Sequence, residues 1–373
     1  QEHNVPISGG NEDTQDYASF GYLNDKGYVV GSGFDRFSGR VKVDQKVNNW
    51  IKVGGSISYA RTNQKMYSDN EESGYYSNLF YFSQCIAPIY PIYFYDEDGK
   101  PALNSSGGIY DFGTEYGRSF ASEANPYAQA AASEHQRLKD NFSSRAYAEF
   151  KLSYGFKLTA NMAYDLFNSN VNDFQTPIGG DAASVNGRGE RYSSRYQAFN
   201  ANLLLDWNQT YGNHDIHVLL GHENKKDHDK YMYGMMSNFV GANNSEFVTA
   251  GQYESLTSYS TEYALEGIFA KGEYNYLDRY YFTTSIRRDG SSRFAKGHRW
   301  GTFWAVGGAW RMKEEPWMKD ISFIDDLKLK ASYGTQGNDD VGYAHNYTDL
   351  YQVGRTHVIG GEPAVSKVNY GNP

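Results

Sequence analysis

Four histidines, His214, His217, His222 and His228, come nearest to a metal-binding set in this sequence. Metal ligands must converge on one point. On a strand, residues 214, 222 and 228 share a face while 217 points the other way, so rim or turn histidines are expected and no metal is assigned. Asp96-Glu97-Asp98-Gly99 resembles the start of a calcium loop, but the Gly comes too early and no Glu stands at the twelfth position. An acidic turn closed by Gly is the expectation, with calcium in an outer loop left as the alternative. Arg288-Asp289-Gly290-Ser291-Ser292-Arg293 lacks the Gly spacing and Lys of a phosphate loop and reads as a turn at a strand end. The pairs Glu314-Glu315 and Asp325-Asp326 have the residue types of a glycosidase but fall in a connection away from any cleft. No nucleophile arrangement stands out, and the single Cys85 excludes an internal disulfide and any multi-Cys metal site. The expectation is a chain with no catalytic, cofactor or metal residues.

Aromatic side chains are the richer signal. Tyr75, Tyr76, Phe80, Tyr81, Phe82, Tyr90, Tyr93, Phe94 and Tyr95 crowd one long connection, and Tyr231 and Tyr233 stand in another expected loop, 225 to 259. Rings in an external vestibule could stack on sugars or hold peptide side chains. The alternative is that so long a loop folds on itself and buries them. Tyr75, Tyr76, Tyr90, Tyr93, Tyr95, Tyr231 and Tyr233 are the candidate contacts.

The elements that must position them follow from composition and period. Tyr (34), Phe (21) and Gly (39) are abundant and Pro (9) is sparse, which favours strands and turns. No apolar run is long enough for a transmembrane helix. A negative mean hydropathy is compatible with a barrel, whose strands need apolar residues only at alternate positions. The excess of acidic residues, 44 against 35 basic, argues against nucleic acid as a partner.

Period-2 alternation dominates. Phe156, Leu158, Ala160, Met162, Tyr164 and Leu166 alternate with Lys157, Thr159, Asn161, Ala163 and Asp165, and the pattern returns through Ile51–Tyr59, Phe199–Trp207, Tyr280–Ile286, Trp300–Trp310 and Leu327–Tyr333. About twelve strands are predicted, centred near residues 5, 18, 41, 57, 147, 161, 202, 219, 267, 284, 305 and 330. Many run about ten residues, the length that crosses a bilayer at a tilt, with aromatics such as Trp50, Tyr164, Trp207, Tyr211, Tyr276, Tyr280 and Trp310 at their ends. Short connections (9 to 13, 48 to 50, 153 to 155, 209 to 214, 277 to 279) alternate with long ones (23 to 33, 61 to 141, 168 to 195, 225 to 259, 289 to 298). Outer-membrane barrels show this asymmetry, and a soluble sandwich has no reason for it. Segment 313 to 325 breaks it as an elaborated turn, with one helical turn expected at Pro316.

Several segments then stand in a telling order: Asn275-Tyr276 to Tyr281, Arg288–Phe294, Trp310 with Glu315-Pro316-Trp317-Met318-Lys319, and Leu327–Gly334 with Gly337-Asn338. Ile7–Glu12, Tyr17-Ala18-Ser19, Trp50–Gly54, Asn125-Pro126 and Leu219–Glu223 agree. Together they resemble the SusC/RagA family of TonB-dependent outer-membrane transporters. The resemblance implies an all-β, antiparallel transmembrane β-barrel of about 22 strands with a plugged lumen. It implies residues 1–373 as strands about 2 to 13, without the plug domain or the C-terminal strands, in keeping with a chain that starts at Gln1 and stops at Pro373 in mid-pattern. It also implies energy from the TonB-ExbB-ExbD complex through the plug, a SusD-like surface lipoprotein as lid, and import of an oligosaccharide or, less favoured, a peptide across a Gram-negative outer membrane of the Bacteroidetes type. Lys157, Asn161, Asp165, Asn200, Asn202, Asp206, Lys328 and Lys330 would face the lumen. Two other classes make different demands. A soluble secreted β-sandwich that binds carbohydrate would have short strands whose apolar faces meet in one core, and a β-rich glycoside hydrolase would have two facing carboxylates.

Overall fold

The computed structural model describes residues 1–66, 83–84, 86–104, 107–115, 117–119, 122, 124–241 and 244–340, and short pieces beyond (342, 347–348, 350–352, 358–359, 362–363 and 366–368). Twelve strands form one antiparallel sheet in sequence order: β1 (Glu2–Gly10), β2 (Thr14–Lys26), β3 (Gly33–Lys46), β4 (Ile51–Lys65), β5 (Glu134–Lys151), β6 (Phe156–Gln175), β7 (Arg188–Tyr211), β8 (His214–Phe239), β9 (Ala250–Tyr276), β10 (Tyr280–Ser291), β11 (Trp300–Arg311) and β12 (Lys328–Gly334). Each contains one of the expected centres. The order runs from β1 to β12 without returning, so the sheet is an open arc.

Its two faces are chemically opposite. In register, Ile7, Ala18, Val41 and Ile57 line up across β1–β4, and Leu205, Leu220, Ala270, Ile286 and Trp304 across β7–β11. These side chains are not covered by protein: Ile7 is 67%, Val41 53%, Ile57 56% and Ile286 53% exposed. The buried apolar residues among the described ones are instead Ala124, Ala128, Ala130, Phe174, Ala182, Phe239 and Met318, at the sheet's ends and in its connections. A soluble sandwich hides one face of its sheet; here the apolar face is bare, a surface that only lipid can solvate without cost. That disposes of the sandwich alternative.

The apolar band slopes across the register. Its last outward residue on β4 is Tyr59, whose row passes through Phe142 and Leu166 to Gln197 on β7. On β10 it is Ile286, whose row passes through Ala270 and Leu220 to Leu205. The edge thus drops from 197 to 205 while crossing six strands. With ~3.3 Å per residue and ~4.8 Å between strands, strands tilted by about 40–45° to the membrane normal are implied, as in outer-membrane barrels. Aromatic pairs mark the short-turn edge: Trp50 with Phe150, Phe156 with Trp207, and Tyr276 with Tyr280.

Short connections lie at 11–13, 47–50, 152–155, 212–213 and 277–279, and one longer connection of the same side at 312–327. Tyr154 and Gly155 both take positive φ (61° and 79°), the left-handed pair of a type I′ turn that suits strand twist. The expected helical turn is present as Pro316–Lys319. Glu315 just before it receives the Tyr280 hydroxyl (2.5 Å) and the Trp310 indole N–H (3.0 Å), and Trp317 packs edge-on against Trp310. Of the two acidic pairs, Glu315 is thus occupied here and Asp326 is held by Arg311 (3.0 Å).

On the other side the loop boundaries need correction. The connections are 27–32, 66–133, 176–187, 240–249 and 292–299. Most of the expected loops 168 to 195 and 225 to 259 is strand: β7, β8 and β9 have 24, 26 and 27 residues, more than twice the 9–11 that cross a bilayer.

Candidate functional site

Those extra residues build a wall that stands clear of the membrane. On β7 the outward face is apolar from Trp207 to Phe199 and then reads Gln197, Arg195, Ser193, Arg191. Above that point neither face needs to be apolar, and the ladder is held by backbone pairing and polar cross-strand contacts. Ser193 donates to Asn170 (2.9 Å), and Arg188 pairs with Glu254 (3.0 Å).

On the polar face of this wall four tyrosines from three strands meet. Tyr192 (β7) lies opposite Tyr233 (β8) in register, with ring centroids 4.7 Å apart. Tyr231 lies opposite Tyr259 (β9), their rings stacked at 5.0 Å and 26°. The hydroxyls of Tyr192 and Tyr233 both donate to Glu190 Oε2, at 2.9 and 3.2 Å. Burial, reinforced by this carboxylate, pushes the Tyr233 phenol up to about 12 and the Tyr192 phenol upward as well. Both therefore stay protonated and donating at any physiological pH. Tyr259 remains 53% exposed, so the stacked pair offers a ring face at its edge.

A second cluster fixes the long connection above β4 and β5. Asn125 caps the helix α1 (Pro126–Ala132) by accepting from Ala128 N–H (3.0 Å), and its amide donates to the carbonyls of Ile92 and Asp111, both at 2.9 Å. The buried Arg118 donates to the carbonyls of Phe112 and Ala124 and sits over the Tyr90 ring at 5.6 Å. Tyr93 stacks on Tyr110 (5.1 Å) and meets Tyr127 of α1 edge-on (6.2 Å). A third cluster closes the turn after β10. Asp339 Oδ2 accepts from Tyr263 (2.7 Å) and Ser291 (2.8 Å), while Arg293 lies over the Tyr263 ring at 4.8 Å and reaches Asp340 (2.8 Å). Arg288–Ser291 are accordingly the paired end of β10, and only Ser292–Arg293 open the turn that the sequence led one to expect over the whole motif.

The sequence-derived candidates divide three ways. Tyr75 and Tyr76, like Phe80, Tyr81, Phe82 and Cys85, lie outside the described residues. Tyr90, Tyr93 and Tyr95 lie in the 66–133 connection; Tyr90 and Tyr93 pack on neighbours as above, and Tyr95 is exposed. Tyr231 and Tyr233 are not loop residues: they sit on β8, and they come together with Tyr192, Tyr259 and Glu190, which sequence reasoning passed over. The same-face aromatics Tyr192 and Tyr196, like Tyr231 and Tyr233, are the signal that could have found Tyr192, whereas Tyr259 and Glu190 are brought in only by the strand register. His217 faces the polar side between Asp206 (2.7 Å) and Glu273 (2.8 Å), while His222 faces outward beside Glu266 (3.0 Å), as the parity argument requires. Asp96 closes its own turn by accepting from Lys100 N–H (2.8 Å). The lumen set shares one face: Lys157 is opposite Asp206, Asn161 bonds Asn202 (2.8 Å), and Asp165 takes both arms of Arg145 (3.0 Å each).

Residues 89–373 match the model of the family described as TonB dependent receptor-like, beta-barrel. Among curated proteins, TonB-dependent receptor P39 of Formosa agariphila is 28% identical over 344 residues, 91% of this chain and 31% of that protein. TonB-dependent receptor SusC of Bacteroides thetaiotaomicron is 24% identical over 367 residues, 94% of this chain and 35% of that protein. The chain thus spans about a third of the length of these relatives. Among solved structures, the RagAB peptide transporter superposes with a TM-score of 0.79 at 23% identity, covering the whole of this chain and 40% of the other; a likeness at that identity speaks for the fold alone.

Proposed function

The chain belongs to the TonB-dependent receptor β-barrel family, as a SusC/RagA-type outer-membrane barrel segment, and from that premise we propose that the protein it forms part of imports a nutrient in a TonB-dependent way. The observation that carries this is the sheet itself, with a bare apolar face on one side and a charged, hydrogen-bonded face on the other. Such a sheet, closed by further strands, walls off a hydrophilic passage through lipid. In this reading residues 1–373 supply roughly strands 2 to 13 of a barrel of about 22, and the polar face packs against a plug that the TonB-ExbB-ExbD complex pulls. A SusD-like lipoprotein lids the walls built by β5–β9. Transport requires no bond making, so the family is one of transporters and receptors rather than enzymes.

The proposed substrate is an oligosaccharide. A peptide is the second reading, favoured by the fold shared with a protein described as a peptide transporter. The test is deletion of the parent gene, followed by uptake of labelled oligosaccharides and peptides with and without a protonophore. Loss of an energy-dependent uptake supports the proposal; wild-type uptake of every compound, or uptake indifferent to the protonophore, refutes it.

A further inference from the structure

We infer that Tyr231 and Tyr259, backed by Tyr192, Tyr233 and Glu190, form a platform that binds uncharged sugar rings above the membrane. The inference rests on the import reading and adds to it a place and a ligand class.

Three features of the wall lead there. The first is position. The Tyr192–Tyr233 row stands seven residues beyond Phe199, the last apolar outward residue of β7, about 23 Å along a strand at ~3.3 Å per residue. The tyrosines share the polar face with Asn202, Lys157 and Asp206, so a ligand resting on them would lie at the mouth of the hydrophilic side.

The second is rigidity. Each ring is on a paired strand, and two hydroxyls are tied to one carboxylate oxygen. Little side-chain freedom is therefore lost when a ligand settles, which is the usual advantage of aromatic contact surfaces. With one face against Tyr231, the Tyr259 ring keeps an exposed outer face, suited to the C–H face of a pyranose, on a backing that Tyr231 and Tyr192 hold in place.

The third is the sign of what surrounds it. Both phenols use Glu190 Oε2, leaving Oε1 to accept from a ligand, and hydroxyl groups are the donors a sugar carries in excess. Around the platform on the same face stand Glu190 itself, Asp229, Asp227 paired with Lys225, Asp173 beside His135, Glu254 neutralised by Arg188 and, on β5, Arg137 and Lys139, which lie two strands from Tyr192 and three strands from Tyr231 in register, respectively. The charge in direct contact with the rings is Glu190, while Arg137 and Lys139 stand strands away, so a uronic acid or sulfated sugar resting on the rings meets like charge first and is discriminated against.

The experiment uses the full-length parent protein in detergent, with a glycan array bearing neutral, uronic and sulfated oligosaccharides and a matched peptide array. Binding to neutral glycans, reduced tenfold or more in Tyr231→Ala and Tyr259→Ala at unchanged far-ultraviolet dichroism, is the expected result. Should a variant fold poorly, Glu190→Gln supplies a gentler test: it keeps the fold's hydrogen bonds and should relax the bias against uronic sugars. Preference for acidic glycans or peptides, no glycan binding at all, or unaltered binding by the tyrosine variants overturns the inference. Energy-dependent uptake in cells is scored separately, so a platform that fails leaves the import reading standing, and import that fails shows as the loss of both.

Discussion

Replacing Val41 by Arg asks the sequence to do at one position what it already does on either side. Arg40 and Lys42 flank Val41, and both point to the polar face, where Lys42 pairs with Asp44 (2.6 Å). Val41 points the other way, between Ala18 and Ile57 in the middle of the bare band, and is 53% exposed. If that face meets water, an exposed Val→Arg change lies within about 0.5 kcal/mol of neutral. If it meets lipid near the midplane, the cost is about 2–4 kcal/mol, roughly a 30- to 1000-fold fall in the folding equilibrium. The assay is urea unfolding of the full-length parent protein in phosphatidylcholine vesicles, followed by tryptophan fluorescence. Val41→Ala controls for lost side-chain area, and Thr159→Arg, opposite Glu149 on the polar face, controls for added charge. A Val41→Arg protein as stable as Thr159→Arg would refute the lipid-facing assignment and with it the argument from the band.

Three further outcomes are expected. Asn125→Ala removes a helix cap, about 1 kcal/mol, and strips two carbonyls of their partner at about 1 kcal/mol each, so limited proteolysis within residues 86–133 should accelerate at least tenfold while the barrel strands stay protected. Burial and Glu190 raise the Tyr233 phenol to about 12, so its contribution is fully present below the ordinary phenol value near 10 and is lost as pH climbs to about 12; Glu190→Gln should bring its titration, followed by NMR of ring-labelled tyrosine, back toward 10. Hydrogen bonds from Tyr280 and Trp310, helped by Arg279, hold the Glu315 carboxyl below the usual range. Its contribution is therefore present above about 4.3 and lost as pH falls below it. Fluorescence of Trp310 and Trp317 should change on acidification and should cease to do so in Glu315→Gln.

The membrane-spanning part was readable because lipid imposes contrast. Where one face must be apolar and the other cannot be, alternation such as Phe156–Leu166 appears in the sequence, and all twelve strand centres followed from it. Turn chemistry was equally local: Ser153-Tyr154-Gly155 and Glu315-Pro316 carry their own instructions. Above the bilayer that contrast ends. Arg191–Gln197 and Lys225–Lys230 are polar on both faces, so no hydrophobic period separates strand from loop, and a length rule taken from the bilayer stops the strands too early. What continues them is pairing between neighbours, a non-local property shown only by the register.

The same reasoning explains why the platform was half seen. Tyr231 and Tyr233 drew notice as aromatics in a supposed loop, but Tyr192, Tyr259 and Glu190 are 39, 28 and 41 residues from Tyr231 in sequence and adjacent to it or to Tyr233 only across the ladder. Loops can place rings together, but they seldom hold two hydroxyls on one oxygen and a third and fourth ring in parallel. A paired wall can, because each residue's height is set by backbone hydrogen bonds rather than by loop closure. Extending β7–β9 far beyond the length needed to span the membrane serves no purpose in anchoring the barrel. It does place a rigid, side-chain-bearing surface in the solvent above the passage, where a ligand would have to be met before it could be moved.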